Sequence, residues 1–460
     1  MFQARAMVTA PFTFADLFAG IGGFHAVLSH AGGRCVFVSE IDQEALATYR
    51  RNWLPAGDGD VVVNEDITTA TPETGDLVGV PRQIDVLAAG FPCQPFSKSG
   101  RQAGMDEARG TLFWNIARVL EERHPSVILL ENVRNLAGPR HRHEWDVIVR
   151  ELHRIGYRVS ATPSVFSPHF LPPSRGGTPQ VRDRVFLLGT FVGPGRAPDP
   201  STVPPTLVRE PVAGWDPQRW RTEWVLDSDD EVDHRERYDL TVTERAWIDH
   251  WDLLVQSLPP CSERSRLPGF PLWADHWVTE SSLDPRALEK MPSWKADFLV
   301  KNARFYDQHR RFLNSWLADP VVQTMPPTRR KLEWQAQNAT SLWDTVMHFR
   351  PSGIRAKRPT YLPALVAITQ TSIIGPRQRR ITPHEGARLQ GLPKSFTFGD
   401  QRDAASYKQV GNGVCVGAAW YALRRHVERD QADIPTHIVH AVLQAPDNPS
   451  PDALAPAAHA

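Results

Sequence analysis

Cysteine is scarce in this chain: Cys35, Cys93, Cys261 and Cys415 are the four in 460 residues. They lie too far apart for a zinc knuckle and are too few for a disulfide scaffold, so a reducing compartment and no metal site are expected. Long apolar runs are missing as well. None approaches membrane-spanning length, and the start Met1-Phe2-Gln3-Ala4-Arg5-Ala6 lacks the apolar core of a secretory signal. A soluble, cytoplasmic protein with no membrane partner is expected. Neither charge is in excess, with 52 Lys and Arg against 52 Asp and Glu. That balance excludes a uniformly basic binder but not one whose positive charge gathers on a single face.

What is present begins with length: 460 residues can bury one large core and a second, smaller one. From Phe12 to Thr190, apolar runs ending at Asp16, Glu40, Asp66, Gly90, Glu131 and Gly189 alternate with amphipathic segments such as Gly110 to Glu122 and Glu144 to Ile155. Such alternation predicts an α/β fold, a mostly parallel sheet with helices on both faces. Cys93 stands in Gly90-Phe91-Pro92-Cys93-Gln94-Pro95-Phe96-Ser97, directly after the run Ile84 to Ala89. A thiol at the carboxyl end of a buried strand is placed as an open α/β sheet presents a reactive group. The alternative is a small buried thiol; the rest of the chain favours a nucleophile.

Phe12 to Phe24 reads as a strand, a glycine turn and a helix from Gly22 to His30, the form of a nucleotide-type cofactor loop. A second strand, Cys35 to Ser39, ends at Glu40 about twenty residues on, where a ribose hydroxyl needs an acceptor. Asp66, after Val61-Val62-Val63, could accept from an adenine amino group or simply cap a helix.

These segments, taken in order, resemble the cytosine-C5 DNA methyltransferases of bacterial restriction-modification systems. The motifs are DLFAGIGGF (Asp16 to Phe24), Glu40, Asp66-Ile67, GFPCQPFS (Gly90 to Ser97), ENV (Glu131 to Val133), QVRDR (Gln180 to Arg184), ITPHEGARLQGLP (Ile381 to Pro393) and QVGNGV (Gln409 to Val414). The resemblance runs from Phe12 to the helix after Val414, with an interval from Phe191 to Gly375 that matches no motif of the catalytic core. It implies a Rossmann-like S-adenosylmethionine-dependent methyltransferase domain with a second, smaller target-recognition domain. The expected layout is an N-terminal extension (1–11), a catalytic and cofactor-binding domain (12–190), a target-recognition domain (191–375), a return to the catalytic domain (376–428) and a C-terminal extension (429–460). From Gln444 onward a disordered tail is expected.

The resemblance also implies roles. Cys93 adds as a thiolate to C6 of cytosine, and Glu131, with a raised pKa, serves N3. Arg184 donates to O2, while Arg182 orients Glu131 or a phosphate. Gly20, Gly22 and Gly23 let the backbone approach S-adenosylmethionine, Phe18 and Ile67 enclose the adenine, Gly90 and Pro92 border the cofactor, and Asn412 and Val414 meet its methionine portion. The target base must leave the duplex, so Ser97 to Gly104 is the expected closing loop, with Gln94 near the vacated position and Ser97, Lys98 and Arg101 as further DNA contacts.

From Trp215 to Trp343 the chain holds 11 of its 15 tryptophans, read as core anchors of a loop-rich domain. Basic residues follow, and Thr324 to Arg358 is the expected recognition segment, with Arg329, Arg330, Arg355 and Arg358 facing double-stranded DNA. A monomer is expected, with any cognate restriction endonuclease acting separately. Rival readings are a tRNA cytosine-C5 methyltransferase, which keeps the same motifs beside a short recognition segment, and a DNA-binding protein that has lost catalysis. A nicotinamide oxidoreductase shares the glycine loop but has no use for Pro-Cys-Gln or ENV.

Overall fold

The computed structural model describes residues 10–55, 57, 59–92, 111–365 and 371–454. Its described residues form two compact units, one within Met1–Trp220, Pro363–Ala367 and Pro383–Ala460, the other within Arg221–Leu362 and Ile368–Thr382. Compared with the expected interval 191–375, the second unit begins about thirty residues later, because Trp220 and Trp215 donate their indole N–H groups to the carbonyl of His169 in the first unit. Among the described residues no helix is long and apolar enough to cross a membrane.

In the first unit, five strands lie parallel in the order β3 (Val62–Asn64), β2 (Arg34–Ser39), β1 (Thr13–Leu17), β4 (Val86–Gly90), β5 (Val127–Val133). Phe14 to Leu17, Val86 to Ala89 and Val127 to Leu130 are all buried, as strands covered on both faces must be. After the short strand β8 (Gln180–Val181), strand β9 (Arg184–Phe191) runs antiparallel to β5. Its outer edge pairs with two short strands, β6 (Tyr157–Arg158) and β7 (Ser164–Phe166). Expected and observed strand ends agree within two residues. Between the strands run α1 (Gly23–His30), α2 (Gln43–Trp53), α3 (Ile67–Ala70), α4 (Leu112–Arg123) and α5 (Arg142–Ile155). The order reverses between β1 and β4, the point at which an open α/β sheet opens a crevice at its strands' carboxyl ends.

The helix Val416–Asp430 returns to this sheet. Its His426 ring meets the Thr190 hydroxyl of β9 at 2.9 Å, and its Trp420 packs edge-on against His30 of α1. The expected disordered tail is corrected for residues 445–454. Ala453 and Leu454 are buried, Asn448 donates to the Pro173 carbonyl, and the Pro446 carbonyl meets His30, so this polar, proline-rich stretch is held by caps and apolar anchors.

The second unit is built on a six-stranded sheet ordered β10 (Leu272–Trp273), β11 (Lys331–Gln335), β13 (Gly353–Lys357), β12 (Val346–Arg350), β15 (Ile373–Ile374), β16 (Arg379–Arg380), to which the short strand β14 (Leu362–Pro363) does not belong. Its core holds Trp251, Trp277 and Trp316 in mutual ring contact, together with Trp334. The tryptophans therefore anchor this unit, as composition suggested; Trp294, 59% exposed, is an exception.

Candidate active site

The turn after β1 is built from unusual backbone. Phe18 has φ 55°, Gly20 φ 55° and Gly22 φ 86°. Glycine enters that region freely, whereas a phenylalanine there is strained, and strain of this kind collects where function fixes the chain. A Cβ on Gly22 would fall 2.0 Å from Nε1 of Trp53, whose N–H donates to the Ile21 carbonyl; one on Gly23 would fall 2.8 Å from the Val414 carbonyl oxygen. Among the described residues, nothing lies within 4 Å of where a Cβ on Gly20 would stand. The loop thus has packed sides and an open rim, a cradle for a ligand that approaches the backbone closely.

Glu40 stands at the next strand end. Its carboxylate accepts from the Gly20 N–H at 2.7 Å and the Asp42 N–H at 2.8 Å, so it also staples the glycine loop to the end of β2. Ile41 beside it is 68% exposed, a large apolar side chain at the same rim that sequence reasoning did not single out. Asp66 caps α3 through one oxygen, which accepts from the Thr68 N–H and hydroxyl; Ile67 behind it is buried. Asp16, at the end of β1, is fully buried, and burial, then Glu40, pushes its carboxyl well above the usual range.

On the other side of the reversal, Glu131 lies beside Gly90 in register on β5 and is 7% exposed. Arg184, which opens β9 opposite Val133, donates from Nε to Glu131 at 2.9 Å. Burial raises the Glu131 carboxyl pKa, with Arg184 and Arg182 pulling the other way. A Cβ on Gly90 would lie 3.5 Å from Val414 and 3.9 Å from the Glu131 carboxylate. Gly23, Gly90, Glu131, Arg184 and Val414 therefore converge at the strands' carboxyl ends. Asn132, buried, donates to the Phe91 carbonyl at 2.8 Å and so fixes the chain just ahead of Pro92, which is exposed, and Cys93. That bolt was unassigned in the sequence; its position inside ENV was the available signal.

The sequence matches the C-5 cytosine-specific DNA methylases over residues 12–211 and 249–428. The chain belongs to that family. It is 46% identical to the Type II methyltransferase M.AluI of Cellulosimicrobium cellulans, over 94% of this chain and 96% of that one. It is 29% identical to M.BanI of Aneurinibacillus aneurinilyticus over 88% and 92%, and 37% identical to M.HpaII of Haemophilus parainfluenzae over 39% and 46%. The fold is that of a DNA methylase, a mostly parallel Rossmann-like sheet.

Several methylase residues take places other than those expected. Arg182 does not reach out to Glu131 or a phosphate: it is 1% exposed and donates to the carbonyls of Leu365, Gly411 and Gly413, with burial drawing its pKa down to about 9. It is the clamp that holds the QVGNGV segment, and hence Val414, against the sheet. Asn412 is exposed at the end of the helix Asp403–Asn412. Cys93, Gln94, Ser97, Lys98 and Arg101 lie outside the described residues.

The four arginines expected on DNA lie in the second unit. Arg329 stacks on Phe349 at 4.5 Å and donates to the Arg350 carbonyl, and Arg330 pairs with Asp275 and two carbonyls. Both are committed to the unit's own structure. Arg355 pairs with Glu333 at 2.7 Å, and Arg358 donates to the Gln337 side chain at 3.0 Å.

Proposed function

We propose that the site transfers a methyl group from S-adenosylmethionine to C5 of a cytosine turned out of duplex DNA, with Cys93 as nucleophile, and that it protects a specific sequence in a restriction-modification system. The observation that carries this reading is the convergence of Gly23, Gly90, Glu131, Arg184 and Val414 at the strand ends; Gly90 stands three positions before Cys93 in the sequence. Membership of the C-5 cytosine-specific DNA methylases supports it.

Among the described residues, the open space above Gly20, the staple by Glu40, the exposed Ile41 and the second carboxylate oxygen of Asp66 fit a nucleoside-bearing cofactor. Phe18 and Ile67 complete the adenine site, and Asn412 and Val414 meet the methionine portion. When bound, S-adenosylmethionine supplies a methyl group on a sulfonium, which departs as a neutral thioether. The protein's part is to make C5 a nucleophile. The Cys93 thiolate forms a bond to C6, and the electron pair of the C5–C6 bond moves into the ring as N3 takes a proton from Glu131. A buried Glu131 retains that proton to higher pH than an exposed carboxyl. Arg184 fixes its direction and has a further N–H group to offer O2 of the ring. After C5 has gained its methyl group, water takes the C5 proton, the electron pair of that bond restores the C5–C6 double bond as the C6–S bond breaks and frees the thiolate, and N3 returns its proton to Glu131.

Incubation with S-adenosylmethionine carrying a tritiated methyl group tests this. Label in duplex DNA as 5-methylcytosine is expected, and none with Cys93→Ser; label in tRNA alone would overturn the DNA reading.

A further inference from the structure

The central sheet of the second unit has two unlike faces. Leu332, Trp334, Met347, Ile354 and Ala356 enter the core, so the alternate residues must point the other way. Register places Glu333 beside Arg355 and Gln335 beside Lys357 on one side, and His348 beside Arg355 on the other. Arg350 ends the same row, two residues on from His348.

This face carries Arg355, Lys357 and Arg350 against a single carboxylate, and on β12 it also buries Val346 and His348. Among the described residues, Glu333 is its only carboxylate on these three strands, and that carboxylate is taken by Arg355. The Lys357 ammonium and the Arg350 guanidinium are half-buried and have no hydrogen-bond acceptor or ion-pair partner among the described residues. The neighbouring imidazole registers the field: burial, then Lys357, Arg350 and Arg355, push His348 down to about 3. Burial, then Arg355 and Arg350, lower the Lys357 ammonium, with Glu333 pulling the other way. Crowding like charges on a half-buried face costs stability unless a partner supplies negative charge or acceptor atoms.

We propose that this face reads the DNA target: Arg355 is the specificity-determining contact to a base edge, and Lys357 and Arg350 hold flanking phosphates. The proposal rests on duplex DNA being the substrate. Both Nε and Nη2 of Arg355 donate to one oxygen of Glu333, at 2.8 and 2.7 Å. That carboxylate occupies one edge of the guanidinium, sets its plane, and leaves the edge between Nη1 and Nη2 as a two-pronged donor, the geometry that matches O6 and N7 of guanine. A pre-aimed fork discriminates bases; unpaired cations serve phosphates of any sequence.

The test is equilibrium binding of the full chain, over a salt series, to a duplex carrying the sequence that the wild-type protein methylates and to duplexes with one base pair of it changed. Arg355→Ala is expected to reduce the preference for the intact site by roughly 5- to 150-fold at one position. Glu333→Gln keeps a side chain of the same shape and is expected to loosen the same preference. Lys357→Ala and Arg350→Ala, which break no ion pair in the unit, are expected to weaken both duplexes equally and lower the salt slope by about 0.9 each. Wild-type preference in both Arg355→Ala and Glu333→Gln, or an unchanged salt slope in both cation variants, overturns the proposal. A wild-type protein that methylates no duplex at all contradicts instead the function on which the proposal rests.

Discussion

Glu131 carries the residue-scale argument because its environment sets its proton. Burial raises the carboxyl pKa and Arg184 moderates the rise, so the acid form persists to higher pH than in a free glutamate. Turnover should therefore fall as pH climbs through that raised pKa. Glu131→Gln should lower the single-turnover rate by roughly 100- to 10,000-fold, the usual scale for a general acid, and remove that descending limb from the pH profile. DNA affinity should change far less. A variant with wild-type rate and profile would move the proton donor elsewhere. Gly23→Ala offers a steric counterpart. Its added methyl would meet the Val414 carbonyl at 2.8 Å, so the variant should raise the KM for S-adenosylmethionine before it alters kcat at saturation.

At the scale of elements, the return of QVGNGV to the sheet depends on one side chain. Arg182 holds three carbonyls with charge-assisted hydrogen bonds in a fully buried position. Arg182→Ala should leave those acceptors unpaired and cost about 3–5 kcal/mol of unfolding free energy, read as a lower urea midpoint. Stability equal to wild type would refute the clamp. The role was hidden in the sequence because its partners lie far along the chain, at Leu365, Gly411 and Gly413, and a motif such as QVRDR shows the guanidinium but not what it faces. Strand ends were legible: buried parallel strands read as continuous apolar runs, and Gly90 and Glu131 fall where they were expected. Ile41 and Asn132 were not singled out, since exposure and a side-chain bolt to Phe91 are properties of the folded chain. The second unit showed its tryptophan core in composition, whereas the polar face carrying Arg355 and Lys357 appears only once the register of β11, β13 and β12 is known.

For the whole molecule, acid should be damaging well before the carboxylates titrate. Burial holds His25, His169 and His426 down to about 4, and His348 to about 3, against an ordinary value of 6.5. Between these values the unfolded chain binds protons that the folded one does not. The stability these histidines contribute is thus complete above pH 6.5 and is lost as pH falls through 4, and through 3 for His348, with a shift of this size worth on the order of 3 kcal/mol. Urea unfolding followed from pH 7 to pH 4 should show a steadily falling midpoint; a flat midpoint across that window would contradict buried neutral histidines. The tail belongs to the same scale. Residues 445–454 are tied to the first unit through Pro446, Asn448 and Asp452, so truncation after Gln444 should destabilise the protein measurably.

The central claim is that this chain methylates cytosine C5 in one short DNA sequence through Cys93. The most direct measurement is bisulfite-type sequencing of DNA from a methylation-free host expressing either the wild-type chain or Cys93→Ser. The account predicts modified cytosines in a single short context with the wild-type chain and none with the variant. An unmodified genome in the presence of soluble wild-type protein, or the same methylation pattern from Cys93→Ser, would contradict it.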